Sequence, residues 1–344
     1  MHIGVPKTGT SALQVYFAQN RDVLLKQSLD YLPTGQFDLG VTGHITSGNA
    51  AQLARSLAPK GSPLAMPQGE LHIQNVFDAI RRSPAEMGLI SSETLSSIPD
   101  LSLKDFADRV EASGVAVKII LYVRTQIQLL VSGYIQHVKR AACTELPDDF
   151  VRRTYKADRR LKYHTYVRTL QTLFGEDNVI CRVYEDARES PGGLSADFLR
   201  AIGKAAAAPE GPAMEEINNS LPAADLAIML LLNHYSPNIA FCDMVIENAR
   251  IAGSAKTGMI HQLLSPALTR EISGYFAAEN RALAQLLFDR DNLFDEAAEV
   301  ESSSFISPDE LSARDVASFM SGIVVRFHAR LANLERRLPK GPLK

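Results

Sequence analysis

The stretch His2-Ile3-Gly4-Val5-Pro6-Lys7-Thr8-Gly9-Thr10-Ser11 gathers two glycines, one lysine and three hydroxyls directly behind a short apolar run. An apolar, helix-like segment with Ala12, Leu13, Tyr16 and Phe17 follows at once. A strand, a tight loop and a helix N-terminus form an anion cradle, because backbone N–H groups point at the ligand and the helix dipole favours negative charge. A lysine in such a loop adds a mobile point charge. The spacing is not that of a nucleoside-triphosphate loop, which ends Gly-Lys-Ser/Thr with the hydroxyl on Mg²⁺. Here the order is Gly4-x-x-Lys7-x-Gly9-Thr10-Ser11, with the lysine ahead of the second glycine, which suits a phosphate ligand that needs no metal. The competing reading is a plain Gly-rich turn.

A second basic block follows the clearest strand pattern of the chain, Val115–Val123, a nearly continuous β-branched run of the kind buried parallel strands show. Arg124 stands at its carboxyl end, where ligands of open α/β sheets bind. On the helix expected from Gln126 to Arg140, Ser132, Gln136 and Lys139 are spaced i, i+4, i+7 and share one face. Arg124 and Ser132 can converge on a second phosphate, and the planar arginine fork binds phosphate oxygens in pairs. A solvated helix face with a surface ion pair is the alternative.

Taken together, the two blocks resemble the signature of sulfotransferases that use 3′-phosphoadenosine 5′-phosphosulfate (PAPS). The run Arg124-x-Gln126-x5-Ser132-x-Tyr134-x-Gln136-x-Val138-Lys139 is similar to bacterial members of the carbohydrate-type branch. A weaker likeness extends to Phe198-Leu199-x-x-Ile202-Gly203 and Asn218-Asn219-Ser220-Leu221, so that it covers about residues 1 to 230. The resemblance implies that Lys7, Thr8, Gly9, Thr10 and Ser11 bind the 5′-phosphosulfate, and that Arg124 and Ser132 bind the 3′-phosphate. It implies a P-loop NTPase-like, three-layer α/β/α fold with a central parallel sheet, PAPS as donor, and the 3′,5′-bisphosphate nucleotide (PAP) as product.

Sulfuryl transfer is governed by positioning and electrostatics, as phosphoryl transfer is. Lys7 is the residue expected to stabilise charge at the 5′-phosphate leaving group. The acceptor hydroxyl, or amine, needs a base within reach. Glu93, after the strand candidate Met87–Ile90 and Ser91-Ser92, is the first choice; a surface or capping glutamate is its bland alternative. His44, in Gly43-His44-Ile45-Thr46, is the second choice. His137 reads as packing or solvent-facing. Asn218-Asn219-Ser220 reads as a helix cap more readily than a nucleotide cover, and Gly253–Gly258 with Lys256 as a surface turn. No carboxylate cluster has metal spacing, so no metal is expected.

The elements that must hold these residues alternate as strands and helices through about residue 210, which argues for a parallel sheet. The patterns predict a helix from Thr10 to Lys26, a strand over Ser28–Leu32, and an irregular excursion over residues 36 to 70. They further predict a helix through Ile73, Val76, Phe77 and Ile80, and a helix capped by Ser102 and ended by Ser113-Gly114. Then come a helix from Leu161 to Phe174, a strand from Val179 to Tyr184 and a helix from Leu194 to Ile202. The expected organisation is a PAPS-binding α/β core over residues 1 to 210 and an added C-terminal helical region over 211 to 344 packing on it. In the latter, Ser307-Pro308-Asp309-Glu310 reads as a helix start. Phe319, Ile323, Phe327 and Leu331 form a stripe that either packs on the core or makes a dimer seam.

The chain of 344 residues has 46% hydrophobic and 22% charged residues, so a sizeable core is expected. A net charge of −3 does not suggest a nucleic-acid partner or a polybasic membrane anchor. Cys143, Cys181 and Cys242 match neither zinc nor disulfide spacing, which suits a reducing compartment. No secretory signal pattern opens the chain, and the longest apolar run, Leu226–Leu232, is far too short to span a bilayer. A cytoplasmic protein is expected, acting on a carbohydrate or small molecule, with a homodimer as a possible assembly. A first strand of only His2–Val5 is short for a central strand, as a late or trimmed start would leave it. The other classes consistent with the residues are a P-loop kinase or nucleotide hydrolase, and a non-catalytic binding module of the same fold.

Overall fold

A computed structural model describes residues 1–44, 46–204, 222–251, 262–294 and 304–337. The calls on Asn218-Asn219-Ser220 and on Gly253–Gly258 lie outside the described residues. The chain divides into two units. The first comprises Met1–Leu129, Tyr155–Ile217 and Glu271–Ala298; the second comprises Leu130–Thr154, Asn218–Arg270 and Glu299–Lys344.

The first unit is mixed α/β. Its strands are β1 (His2–Ile3), β2 (Leu29–Tyr31), β3 (Met87–Leu89), β4 (Ser91–Ser92), β5 (Ile119–Val123) and β6 (Val179–Val183). One sheet has the order β4-β1-β5-β6, and β2 pairs with β3; every ladder is parallel. Only Ile90 separates β3 from β4, and its carbonyl accepts the His2 N–H at 2.7 Å. The chain therefore passes straight from one ladder into the other. β1 lies between β4 and β5, so the sequence order reverses on either side of it. Beyond the carboxyl end of such a strand lies the crevice where open α/β sheets bind ligands.

Phe17, Tyr31, Tyr122 and Phe198 are almost wholly buried and lie within one apolar cluster. The Tyr122 hydroxyl donates to Asp197 Oδ1 at 2.9 Å, so a phenol on a central strand enters the core with its polar end satisfied.

Several expected elements shift. The first helix runs Thr10–Gln19 and stops at Asn20, whose N–H and side chain both bond to the Tyr16 carbonyl; a separate turn, Arg21–Leu25, follows. The excursion over 36 to 70 holds two short helices, Phe37–Val41 and Ala51–Ser56. Helix Asp100–Ala112 starts behind Pro99, so Ser102 sits inside its first turn rather than capping it. β5 begins only at Ile119, although the β-branched run begins at Val115. Its register partner β6 starts at Val179, and extended residues without a ladder partner do not count as strand. Helix Gln126–Arg140 has the expected bounds.

The second unit is helical among its described residues, with Pro147–Thr154, Ala223–Tyr235, Ile239–Ile251 and Ala313–Arg337 as its main elements. Buried Asn233 ties it together by donating to the Val138 and Cys143 carbonyls, both at 2.9 Å. Ser307 and Glu310 form the expected capping box, but it closes a single 3-10 turn, Pro308–Glu310. The long helix has its own start, where Ser312 and Asp315 bond to each other's backbone N–H groups. Of the apolar stripe, Phe319 is buried, whereas Phe327 and Leu331 are more than half exposed. Among the described residues no helix is long and apolar enough to cross a membrane.

Candidate active site

β1 delivers the chain into the loop between Gly4 and Gly9. The Gly4 N–H bonds to the Ser92 carbonyl at 3.0 Å, which locks the loop entrance to β4. A side chain at residue 4 would meet Thr10 at 2.6 Å, so the close approach of loop and helix requires glycine. Thr8, fully buried, donates Oγ1–H to the Val5 carbonyl at 2.7 Å and closes the loop on itself. Gly9 adopts φ 74° and hands over to the helix starting at Thr10. The first helical hydrogen bond is Leu13 N–H to Gly9 O at 3.0 Å. Among the described residues, the N–H groups of Thr8, Gly9, Thr10, Ser11 and Ala12 meet no acceptor in the chain. The buried Thr10 Oγ1 has no partner either. Such a set of orphan donors at a helix start can receive an anion.

Lys7 occupies the left-handed region with φ 65°, a strained conformation for a residue with a side chain. Burial pushes its ammonium pKa down; the neighbouring Glu93 carboxylate opposes this and Arg124 adds to it. Glu93 directly follows β4 and caps the 3-10 turn Thr94–Ser97, where its carbonyl accepts from the N–H and Oγ of Ser96. Burial raises the Glu93 pKa above the ordinary carboxylate value, with Lys7 and Arg160 acting against it. Lys7, in the loop after β1, and Glu93, directly behind β4, thus lie close enough for each to shift the other's pKa. His44 is not drawn into that pair. It is exposed, and its Nδ1 lies 2.8 Å from Thr42 Oγ1.

Arg124, at the end of β5, is already engaged. Its Nε donates to Gln128 Oε1 at 2.9 Å and to Glu185 Oε1 at 3.2 Å, and its Nη1 donates to the Lys7 carbonyl at 3.0 Å. The guanidinium carbon lies 5.1 Å from the Tyr184 ring centre. Among the described residues Nη2 has no acceptor, so one corner of the fork is open to an anion. Ser132 lies half-buried on the part of helix Gln126–Arg140 that belongs to the second unit.

Two residues of this site escape the sequence reading. Arg160, fixed by a two-point pair to Asp158 (2.8 and 2.7 Å) and donating to Ser97 Oγ at 3.2 Å, adds a second cation to the field at Glu93. Glu185 raises a buried, unpartnered Oε2 beside Arg124. Arg160 sits more than 60 residues from Glu93, and Glu185 more than 60 from Arg124, beyond the reach of spacing patterns. Among the described residues no group of three or more His, Cys, Asp or Glu side chains is placed to hold a metal ion.

No family model matches the chain, and no curated protein matches it. Among solved structures it is similar to the crystal structure of a sulfotransferase from Alicyclobacillus acidocaldarius, at 17% identity and a TM-score of 0.46, over 83% of this chain and 93% of that one.

Proposed function

We propose that the protein is a PAPS-dependent sulfotransferase that acts on a hydroxyl, or an amine, of a glycan or small molecule. The observation that carries this is the convergence of Lys7 and Glu93 at a helix start whose N–H groups lack acceptors. The residues fit an anionic nucleotide. The amides of Thr8 to Ser11 and the Thr10 and Ser11 hydroxyls hold the 5′-phosphate, and Arg124 Nη2 takes the 3′-phosphate, shared with Ser132 on the strength of the sequence spacing. When bound, the donor supplies a sulfuryl group carried on its 5′-phosphate. Lys7 offsets negative charge at that phosphate as the leaving oxygen separates. Glu93 accepts the acceptor proton, with His44 as the second choice of base. The core is proposed to be P-loop-like with three layers over residues 1 to 210, and residues 211 to 344 to be an added helical region. Its three cysteines are unpaired, as a reducing, cytoplasmic setting permits.

Thermal melting tests the nucleotide assignment. A ligand at about 100 times its Kd stabilises the folded state by about 2.7 kcal/mol. PAP without metal is expected to raise the melting temperature of the wild type, and Arg124→Ala to abolish the rise. If ATP with Mg²⁺ stabilises and PAP does not, the protein is a kinase or hydrolase. If neither does, it is a binding module.

A homodimer is part of the same proposal. On helix Ala313–Arg337, Met320, Val324, Phe327 and Leu331 are 50 to 60% exposed and follow one another at steps of 4, 3 and 4 residues, the spacing of a helical pairing seam. Phe327→Glu is expected to turn a dimer into a monomer by light scattering without changing nucleotide binding; a wild-type monomer at micromolar concentration removes the proposal.

A further inference from the structure

A second concavity of the first unit takes no part in the site described above. Residues of helices Ala51–Ser56 and Gly69–Arg82, with those of β2 and the turn behind it, line a cleft of about 430 Å³ that is half open to solvent. That volume falls in the range of small-molecule sites. Its floor is a closed polar set. Buried Asp30 accepts from Arg21 Nε and from Ser83 Oγ, each at 2.7 Å. Buried Asn49 donates to the Leu32 and Leu89 carbonyls at 2.8 and 3.1 Å and accepts from the Ser91 N–H at 2.7 Å. Asp30 and Asn49 are satisfied by these contacts and fix the cavity wall, while Arg21 has its charge met by Asp30.

The other polar lining is different. The side chains of Gln52, His72 and Asn75 make no hydrogen bond among the described residues, and Arg82 uses only its Nε, on the Asp78 carbonyl at 3.1 Å. Two amides and an imidazole each present a donor beside an acceptor, which is what vicinal hydroxyl groups need. The charge is also specific. Arg21 is balanced by Asp30, whereas no carboxylate pairs with Arg82. The cavity therefore offers one uncompensated guanidinium fork, matched to one carboxylate.

We infer that this cavity binds a polyhydroxylated monoanion the size of a single sugar acid, with Arg82 on the carboxylate and Gln52, His72 and Asn75 on the hydroxyls. A phosphate dianion has one hydroxyl and no vicinal pair for Gln52, His72 and Asn75 to meet. The inference does not depend on sulfuryl transfer.

The test is a ligand titration followed by NMR on the full chain, with sodium D-glucuronate, D-glucose and inorganic phosphate as probes. Glucuronate is expected to bind about tenfold more tightly than glucose, the worth of one charge-assisted contact. Arg82→Ala removes that difference, and Asn75→Ala weakens both sugars alike. Both residues are exposed, so the fold survives their replacement, which unchanged melting and unchanged PAP binding verify. The inference is overturned if glucuronate binds no better than glucose, if phosphate binds as well as glucuronate, or if Arg82→Ala binds glucuronate like the wild type.

Discussion

Replacing Lys7 by methionine is expected to lower the rate of PAP release from PAPS by about 10²- to 10³-fold, the cost of losing one preorganised charge stabiliser. Methionine keeps the unbranched stem and imposes the same left-handed strain, so the loop path is retained. Burial disfavours the Lys7 cation, a cost that the substitution removes, and melting beside the wild type verifies that the fold is kept. Lys7→Gly serves as the complementary variant, since glycine relieves the strain at φ 65° while also lacking the charge. Both variants should lose turnover although one is strained and the other is not. Wild-type turnover in either would remove Lys7 from the chemistry and with it the proposed transfer mechanism.

Glu93→Gln is expected to cost about 10²- to 10⁴-fold in turnover, the usual worth of a general base, and to erase the acid limb of the pH profile. Only the carboxylate accepts a proton, so the wild-type rate rises with pH through the Glu93 pKa. Because burial raises that pKa, the limb lies above the ordinary value of 4.5. Lys7 sets the opposite limb. Its lowered pKa places the loss of the cation, and of rate, below 10.5. The stability effect has a definite sign. A carboxyl whose pKa is raised on folding binds its proton more tightly in the folded state, so its ionisation costs stability as pH rises through the folded pKa. Glu93→Gln should therefore melt no lower than the wild type at pH 8. A glutamate kept only to cap the turn Thr94–Ser97 would behave differently, since its cap uses the backbone carbonyl and not the side chain. His44→Ala is the control. If the acid limb disappears with His44 and survives in Glu93→Gln, the base is His44.

Arg124 shows why one side chain can answer two questions. Its Nη1 holds the Lys7 carbonyl while its Nη2 stays open. Removing it should both weaken PAP binding and loosen the loop that carries Lys7. Comparing Arg124→Ala with Arg124→Lys separates the two effects: lysine restores a point charge but not the fork that spans carbonyl and phosphate.

The parts of this protein fixed by local chemistry were open to reading from the sequence. Gly4, Lys7, Gly9, Thr10 and Ser11 define a strand–loop–helix cradle within ten residues, because backbone dihedrals and helix ends are properties of neighbours in the chain. Helix Gln126–Arg140 and β6 carry their periodicity in their own residues, and the position of Arg124 at a strand end follows from them. The place of Glu93, directly behind a short buried strand, follows from neighbouring residues in the same way.

Tertiary structure decided what depends on partners distant in the chain. It withheld strand from Val115, because a ladder needs a register partner as well as propensity. It left Phe327 and Leu331 exposed, because an apolar stripe states what can be buried and not what is present to bury it. It put Arg160 in the field of Glu93 and Glu185 against Arg124. Electrostatic neighbours on separate elements are set by how those elements pack, and no spacing within a single segment encodes them.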